Sequence, residues 1–145
     1  MTKERFKCPI SVHIFLKKDN KILFQLRKNC SFSNMYGVVA GHLDGNETVV
    51  QAAIREAREE IGVDISPENI KFATLCHSNV GNKEYLQFFM WCNQWKEKIT
   101  NLEPEKCSEL VFLSIDKLPD NLVPYISKAL NMALDNVPFY EDGWE

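Results

Sequence analysis

The sequence predicts an α/β (α+β) fold in which one mixed β-sheet is covered by helices. Its 145 residues are enough for a continuous core, and we expect a single domain over 1–145. Hydrophobic residues make up 45% and charged residues 26%, which is typical of a globular protein. Strand-like runs precede and follow a strongly helical segment, and this order favours a mixed sheet with helices on its faces.

Five apolar or alternating runs predict the strands of this sheet. They are 8–16, 22–26, 70–76, 85–91 and 110–115. The polar turn at 17–21 would join the first two runs as a hairpin. A polar loop at 28–34 and a small apolar segment at 37–41 lie between the second run and the first helix.

The clearest helix is predicted over 48–61. Thr48 and Gln51 have the spacing of a capping box at its start, and Gly62 stands where a C-terminal cap is expected. A second helix is predicted over 124–134, because it opens with a proline and continues with helical apolar spacing. The aromatic and acidic tail at 139–144 is expected either to pack on the domain or to fray.

Charge and cysteine content exclude several functional classes. The 17 basic and 20 acidic residues give a net charge of −3, so we expect no stable nucleic-acid partner. The five cysteines form no Cys-x-x-Cys pair, which favours reduced thiols and a cytoplasmic protein. No apolar run approaches the roughly 20 residues that span a bilayer, so we expect no membrane partner.

The segment 55–60 concentrates charge on the first predicted helix. At about 100° per residue, Glu56 and Glu60 lie one above the other, and Glu59 lies on the same flank. Arg55 and Arg58 fall on a different side of the wheel. The carboxylates are therefore predicted to be segregated from the arginines of their own helix.

This placement of carboxylates is unfavourable without a counter-ion. Like charges four residues apart destabilise a helix by roughly 0.2–0.5 kcal/mol. Glu60 also borders the apolar side of the helix, where a carboxylate loses hydration. A divalent cation would relieve both penalties, and hard oxygen ligands indicate Mg²⁺ or Mn²⁺. The alternative is a solvated acidic face near the end of the helix, with no ligand.

The spacing around this helix resembles the Nudix box, G-x5-E-x7-R-E-U-x-E-E-x-G-U, in which U is an apolar residue. Gly41, Glu47 and the segment 55–63 match every fixed position of the pattern. The chain is thus identified, by resemblance, as a member of the Nudix hydrolase family. The family fold is an α/β/α sandwich with a mixed β-sheet, in agreement with the fold predicted from the strand and helix order.

The resemblance implies a set of metal ligands and catalytic groups. Glu56, Glu60 and Glu59 would be catalytic and would hold Mg²⁺ (or Mn²⁺), and the backbone carbonyl of Ala40 would complete the ligand set. The cation would neutralise phosphate oxygens and orient the attacking water. Glu59 or Glu60 would accept the proton of that water.

The resemblance also implies supporting roles for four residues of the box. Arg55 would pair with a carboxylate of the box and hold it in place. Glu47 would lie near the metal or brace its loop. Gly41 and Gly62 are expected for backbone reasons, namely tight turns and positive φ angles.

The segments 85–90, 102–107 and 118–119 resemble those of the MutT-like subgroup, which acts on nucleoside triphosphates, including oxidised ones. A triphosphate would give a monophosphate and pyrophosphate. For substrate binding we name Arg27, which lies where it could reach a phosphate, and Phe24 on the same strand. Either Glu105 or Glu109, which follow the box in the sequence, could supply a further metal ligand or a base from the loop opposite the box helix.

Two other functions remain open at this point. The first is hydrolysis of ADP-ribose, a dinucleotide or a sugar nucleotide, although members with these activities often carry extra N-terminal strands. The second is a non-catalytic domain that binds a nucleotide as a sensor, although such domains usually lose carboxylates that this box keeps. A homodimer is the default expectation for the assembly.

Overall fold

The computed structural model describes residues 3–145, so the first two residues of the predicted domain lie outside it. Two α-helices occupy the described chain, α1 at Val49–Ile61 and α2 at Pro124–Leu134. Short 3-10 turns lie at Pro67–Asn69, after α1, and at Ile115–Lys117, before α2. The strands are β1 Ile10–Lys18, β2 Lys21–Arg27, β3 Tyr36–Gly37, β4 Val39–His42, β5 Ile70–Val80, β6 Lys83–Cys92, β7 Cys107–Ser114 and β8 Phe139–Asp142.

The strands form one mixed sheet, as the sequence predicts. Its main path runs β3-β2-β1-β6-β5-β8, with β4 paired to β1 and β7 paired to β2. The pairs β1·β6 and β5·β8 are parallel, and the other pairs of strands are antiparallel. The parallel pair β1·β6 brings the first strand of the chain beside the second strand after α1.

Strand β1 is buried on both faces, and this divides the core into two layers. Val12 and Ile14 pack with α1 on one face of the sheet. Phe15 packs with α2 on the other face, where Phe89 of β6 joins it. The result is a sheet between two helices, which confirms the predicted α/β/α arrangement.

Helix α1 begins and ends as its sequence predicts. The Thr48 hydroxyl accepts from the Gln51 amide, and the Gln51 side chain accepts from the Thr48 amide, which completes the capping box. Gly62 closes the helix with φ +73°, a left-handed conformation that favours glycine. The position of α1 is therefore well determined at both ends.

Several strands differ from the sequence prediction. The prediction ends one strand at residue 76 and starts the next at residue 85, whereas β5 and β6 continue to the turn between Val80 and Lys83. Gly81 and Asn82 both have positive φ, which suits a tight two-residue hairpin turn. The short strands β3 and β4 were not predicted, because two to four residues carry too little periodicity.

The C-terminal tail packs on the domain, which resolves the alternative left open by the sequence. Strand β8 pairs in parallel with β5, and the Trp144 indole N–H donates to the His77 carbonyl. A Cβ atom at Gly143 would collide with the Asn79 carbonyl oxygen. The tail thus lies close against the backbone of β5. Within residues 3–145, no helix is long and apolar enough to cross a membrane.

The Gly143→Ala variant is expected to release β8 from β5, because the added methyl group collides with the Asn79 carbonyl and the residue has φ +82°. Hydrogen–deuterium exchange of the β8 amides should accelerate roughly tenfold or more, while the rest of the sheet keeps its protection. Gly81→Ala is the matched control, since Gly81 also has a positive φ but open space around it. Equal exchange of β8 in both variants would contradict the close packing of the tail.

Candidate active site

Helix α1 brings two carboxylates to one cavity at the edge of the sheet. Glu60 points inward and is only 8% exposed, although it is a charged residue type. The Gln25 side-chain amide, on β2, donates to Glu60 Oε1 at 3.0 Å. Glu56 lies one turn earlier on the same side, with its side chain mostly covered. The stacking of Glu56 and Glu60 predicted from the helical wheel is therefore present.

The protonation state of Glu60 reflects this environment. Burial, together with the hydrogen bond and the charge of neighbouring Glu56, raises the pKa of Glu60 to about 9. The charge of Glu103 acts in the same direction, whereas the bond from Gln25 opposes it. Without a cation, Glu60 is thus protonated at neutral pH and hydrogen-bonded to Glu56. A divalent cation can replace this proton and satisfy both carboxylates.

Gly41 has a different role from the predicted one. It lies in β4, paired with Val12 of β1, and it is not among the glycines with positive φ. A Cβ atom at this position would overlap the carboxylate of Glu56. Gly41 is therefore required because the acidic side chain passes directly over the strand, and not because of a turn. The backbone prediction holds for Gly62.

Arg55 connects the box carboxylates to the preceding loop. Its guanidinium donates twice to Glu47, at 3.1 and 2.9 Å, and once to Glu56 Oε1 at 2.8 Å. It also donates to the His42 carbonyl at 3.2 Å. The bond to Arg55 lowers the pKa of Glu47, and the bond to Glu47 raises the pKa of Arg55.

The predicted segregation of the carboxylates from the helix arginines is wrong. A wheel projects only the direction of each Cβ atom, and the long arginine side chain wraps back over its neighbours. Arg55 reaches Glu56, the next residue, and lies 3.5 Å from Glu59. Arg58 does turn away, to Asp64. The contacts of Arg55 agree with the bracing function that the resemblance implies.

The carboxylates of Glu56 and Glu60 open into a cavity of about 310 Å³, here called the acidic cavity. Its walls are Gln25, Arg27, Cys30, Ala40, Glu56, Glu60, Glu103, Lys106 and Cys107. Ala40 lies on β4 at the position predicted to offer its carbonyl. Glu59 is not part of the lining, and its side chain is 56% exposed beside Arg55.

Glu103 is the site residue that the sequence analysis missed. The amide of Leu102 donates to the Glu60 carbonyl and that of Thr100 to the Ile61 carbonyl, so this segment closes the C-terminal end of α1. Glu103 follows directly and lines the acidic cavity. The predicted Glu105 is exposed instead, and its carbonyl accepts from the Asn29 side chain. The sequence gives one indirect sign of this contact, since the last carbonyls of any helix need hydrogen-bond donors from outside the helix.

The donors of the acidic cavity fit a hard divalent cation. Carboxylate oxygens from Glu56, Glu60 and Glu103 and the carbonyl of Ala40 are ligands that Mg²⁺ and Mn²⁺ prefer. Across residues 3–145, no three His, Cys, Asp or Glu side chains are already arranged as a metal-binding group. Mg²⁺ commonly uses one or two carboxylates and completes its shell with water and substrate phosphate. The donor set suits that mode of binding.

A second cavity of about 560 Å³ lies on the α2 face of the sheet. This aromatic pocket is lined by Ser11, His13, Ser31, Phe32, His42, Ser78, Val80, Tyr85, Gln87, Pro124, Tyr125, Lys128 and Asp142. Arg27, in the acidic cavity, donates through Nε to the carbonyl of Ser31 at 2.9 Å. The two cavities are therefore neighbours on either side of one arginine–serine contact.

The floor of the aromatic pocket is polar and uncharged. Gln87 donates to Ser78 Oγ at 2.8 Å, and its Oε1 lies 3.1 Å from His13 Nε2. Burial lowers the pKa of His13 to about 3, so the imidazole is neutral at physiological pH. His13 also stacks on Phe89 with ring centroids 4.5 Å apart. A neutral, flat ligand with hydrogen-bonding edges matches this floor.

The structure places the two predicted substrate-binding residues of β2, Arg27 and Phe24, in different environments. Arg27 lines the acidic cavity, as a phosphate-binding residue would. Phe24 is fully buried on the α2 side of the core and packs edge-on against Tyr36. The prediction that Phe24 contacts substrate is corrected, because its side chain is covered by the core and lines neither cavity.

The comparisons with known proteins agree on one family. The family model described as NUDIX domain matches residues 8–133. The ADP-ribose pyrophosphatase of Methanocaldococcus jannaschii is 39% identical over 54 residues, which are 37% of this chain and 32% of that protein. The chain therefore matches about a third of the length of this relative.

Two further matches extend over most of the partner protein. The 8-oxo-dGTP diphosphatase of Proteus vulgaris is 29% identical over 98 residues, which are 67% of this chain and 86% of that protein. The crystal structure of the MutT NUDIX hydrolase from Burkholderia pseudomallei superposes with a TM-score of 0.78 at 19% identity. It covers 91% of this chain and 99% of that chain, and it shows the shared fold.

The Gly41→Ala variant is expected to weaken divalent-cation binding roughly 10- to 100-fold, because the new methyl group displaces Glu56 from its place over β4. Binding would be measured by Mn²⁺ electron paramagnetic resonance. The matched control is Gly45→Ala in the following loop, where an added Cβ has open space. Unchanged Mn²⁺ affinity in Gly41→Ala would contradict the steric role assigned to this glycine.

In a metal chelator, the protein should lose stability as the pH rises from about 5 to about 9. The unfolded chain releases the Glu60 proton near the ordinary pKa of 4.5, whereas the folded chain keeps it until the pKa of about 9. Glu60→Gln removes this loss and should become more stable than the wild type at pH 8.5, by an amount on the order of a few kcal/mol. Urea unfolding at pH 5 and 8.5 measures the difference. Parallel pH profiles for the two proteins would refute the buried, protonated state.

Proposed function

Because this chain belongs to the NUDIX domain family of hydrolases, we propose that it hydrolyses nucleoside diphosphates linked to another group, with Mg²⁺ (or Mn²⁺) as cofactor. The preferred substrate would be a nucleoside triphosphate, including one with an oxidised base, and the products a monophosphate and pyrophosphate. The observation that carries this proposal is the adjacency of the acidic cavity and the aromatic pocket across the contact between Arg27 and Ser31.

Within this proposal, the phosphates of the substrate bind in the acidic cavity. A bound divalent cation would neutralise phosphate oxygens and favour deprotonation of the attacking water. Glu56 and Glu60 would hold it from α1, together with the carbonyl of Ala40. Arg55 keeps Glu56 in place from outside the cavity, because it already donates to that carboxylate at 2.8 Å.

The proton of the attacking water needs an acceptor. Glu59 and Glu60 are the two candidates in the box. Glu59 lies outside the cavity lining, with an exposed side chain beside Arg55. Glu60 lies inside the cavity and would act as the acceptor only in its ionised form, which a divalent cation beside it would favour. Glu103 lies on the facing wall of the cavity and is a third carboxylate within the same space.

Arg27 and Lys106 supply positive charge beside these carboxylates. We propose that Arg27 binds a phosphate oxygen, since its guanidinium lies between the two cavities and a planar fork suits phosphate geometry. The base of the nucleotide would then extend into the aromatic pocket. The neutral polar floor formed by His13, Gln87 and Ser78 suits the hydrogen-bonding edge of a base.

The Proteus vulgaris relative supports a triphosphate substrate, because that protein is an 8-oxo-dGTP diphosphatase. The name of the Methanocaldococcus jannaschii relative supports the alternative, an ADP-ribose or dinucleotide pyrophosphatase. Both reactions break a phosphoric anhydride and would use the same acidic cavity. A sensor without activity is the less supported reading, since Glu56, Glu59 and Glu60 are all present.

We further propose that residues 1–145 act as one catalytic domain in a reducing, cytoplasmic compartment. The five cysteines are free thiols, and three of them are buried. Burial raises the pKa of Cys76, Cys92 and Cys107, which keeps these thiols protonated and unreactive. A homodimer is the working assumption for the assembly.

The test of the proposed function is a turnover screen with Mg²⁺. The panel holds unmodified and oxidised nucleoside triphosphates, ADP-ribose, diadenosine polyphosphates and NADH, with the products separated by chromatography. We expect a monophosphate and pyrophosphate from one or a few triphosphates. Glu60→Gln should lower the turnover rate at least roughly 100-fold while the protein remains folded.

Glu68→Gln is the matched control for this variant, because Glu68 is an exposed glutamate on the 3-10 turn after α1. It should keep wild-type turnover. Full activity in Glu60→Gln would show that the acidic cavity is not the reaction site. Turnover of ADP-ribose in place of any triphosphate would select the alternative substrate class.

A further inference from the structure

The loop at 28–34 borders both cavities. Cys30 lines the acidic cavity, whereas the next two residues, Ser31 and Phe32, line the aromatic pocket. The loop therefore crosses from the side where the phosphates would lie to the side where the base would lie. Phe32 is 44% exposed at the surface of the pocket. An exposed phenylalanine at this place is a contact surface for any flat ligand in the pocket.

The backbone of this loop is held in an unusual conformation at three positions. Asn29, Phe32 and Asn34 have φ angles of +56°, +57° and +65°. Asparagine tolerates the left-handed region, but a bulky residue such as phenylalanine is a genuine outlier there. For the stability of the fold alone, asparagine or glycine at position 32 would cause less backbone strain. Such outliers cluster at ligand-binding sites, where the side chain has a use that offsets the strain.

The ring of Phe32 extends a series of rings that lines the pocket. It lies edge-on to Tyr125 of α2, with centroids 5.9 Å apart. Tyr125 lies edge-on to His13 at 5.6 Å, and His13 stacks on Phe89. The inner rings are covered by the sheet and α2. Phe32 is the outermost ring of this series and the most exposed of the four.

The loop holds Phe32 in advance of any ligand. The amide of Asn34 donates to the Arg27 carbonyl at 2.7 Å, and the Arg27 amide donates to the Met35 carbonyl at 3.0 Å. The Met35 amide donates to the carbonyl of Phe32 itself at 3.2 Å. These bonds close the loop at its base. A ring that is fixed before binding loses little conformational entropy when a ligand stacks on it.

We propose that Phe32 determines specificity for nucleotides by stacking on the base in the aromatic pocket. This inference rests on the proposed function, because it assumes that the phosphates lie in the acidic cavity. An aromatic side chain binds the flat face of any base and gives nothing to a phosphate. Phe32 thus favours diphosphates that carry a nucleoside over those that do not. The polar floor would form hydrogen bonds with the edge of the base.

The experiment compares two kinds of ligand, nucleoside monophosphates and pyrophosphate, which the proposed reaction would release and the enzyme would not cleave. Binding of 8-oxo-dGMP and the four common deoxynucleoside monophosphates is measured by calorimetry in Mg²⁺, and pyrophosphate is measured in parallel. Phe32→Ala should weaken the tightest monophosphate roughly 5- to 150-fold, the range seen for loss of one base–aromatic stack. Pyrophosphate affinity should remain as in the wild type.

Three further variants separate the ring from the backbone. Phe32→Tyr keeps the ring and should keep the affinity. Phe32→Asn removes the ring but suits the left-handed backbone, so it should fold well and still lose affinity. Phe72→Ala removes a phenylalanine of similar exposure, 50%, that is not part of the pocket. It should bind the monophosphate like the wild type.

Three results would overturn the inference. They are unchanged monophosphate binding in Phe32→Ala and Phe32→Asn, an equal loss for the monophosphate and pyrophosphate, and a wild type that binds no monophosphate more tightly than pyrophosphate. The turnover screen with Glu60→Gln judges the proposed function independently. An active enzyme whose Phe32 variants bind normally would therefore refute only the role of Phe32.

Discussion

The burial of one carboxylate, that of Glu60, is the constraint on which the site depends. A carboxyl group in the interior needs a hydrogen-bond donor, a proton or a cation, because leaving it charged and alone is costly. Gln25 supplies the donor from β2, and Glu56 lies next to it from the same helix. Gly41 leaves the space for Glu56, and Arg55 holds that carboxylate from the solvent side. The packing of α1 on the sheet thus creates a site that suits a divalent cation.

Strand β1 connects this site to the aromatic pocket. Its residues alternate between the two faces, so that Val12 and Ile14 support α1 while Ser11 and His13 form part of the pocket floor. On the α1 face the strand is covered by the core, whereas on the other face its neutral polar residues border an open pocket. The loop at 28–34 then joins the two cavities at the surface. One central strand therefore fixes the distance between the acidic cavity and the aromatic pocket.

The sequence was sufficient for the parts of the structure that depend on local patterns. The capping box at Thr48, the left-handed Gly62 and the stacking of Glu56 over Glu60 were predicted from spacing and are present. The parts that depend on long-range packing were not predicted. Glu103 reaches the acidic cavity only because its segment packs on the end of α1. No pattern in 103–107 distinguishes Glu103 from Glu105 as the residue that faces the cavity.

The burial of Glu60 leads above all to one expectation, that a divalent cation binds in the acidic cavity between α1, β4 and the segment at 103–107. Titration of Mn²⁺ into ¹⁵N-labelled protein tests it most directly, because the paramagnetic ion broadens only nearby amide signals. We expect the signals of 40–41, 56–60 and 103–107 to disappear first, while those of the exposed acidic residues Asp116 and Asp120 persist. Broadening that begins at Asp116 and Asp120, or spreads evenly over the chain, would contradict it.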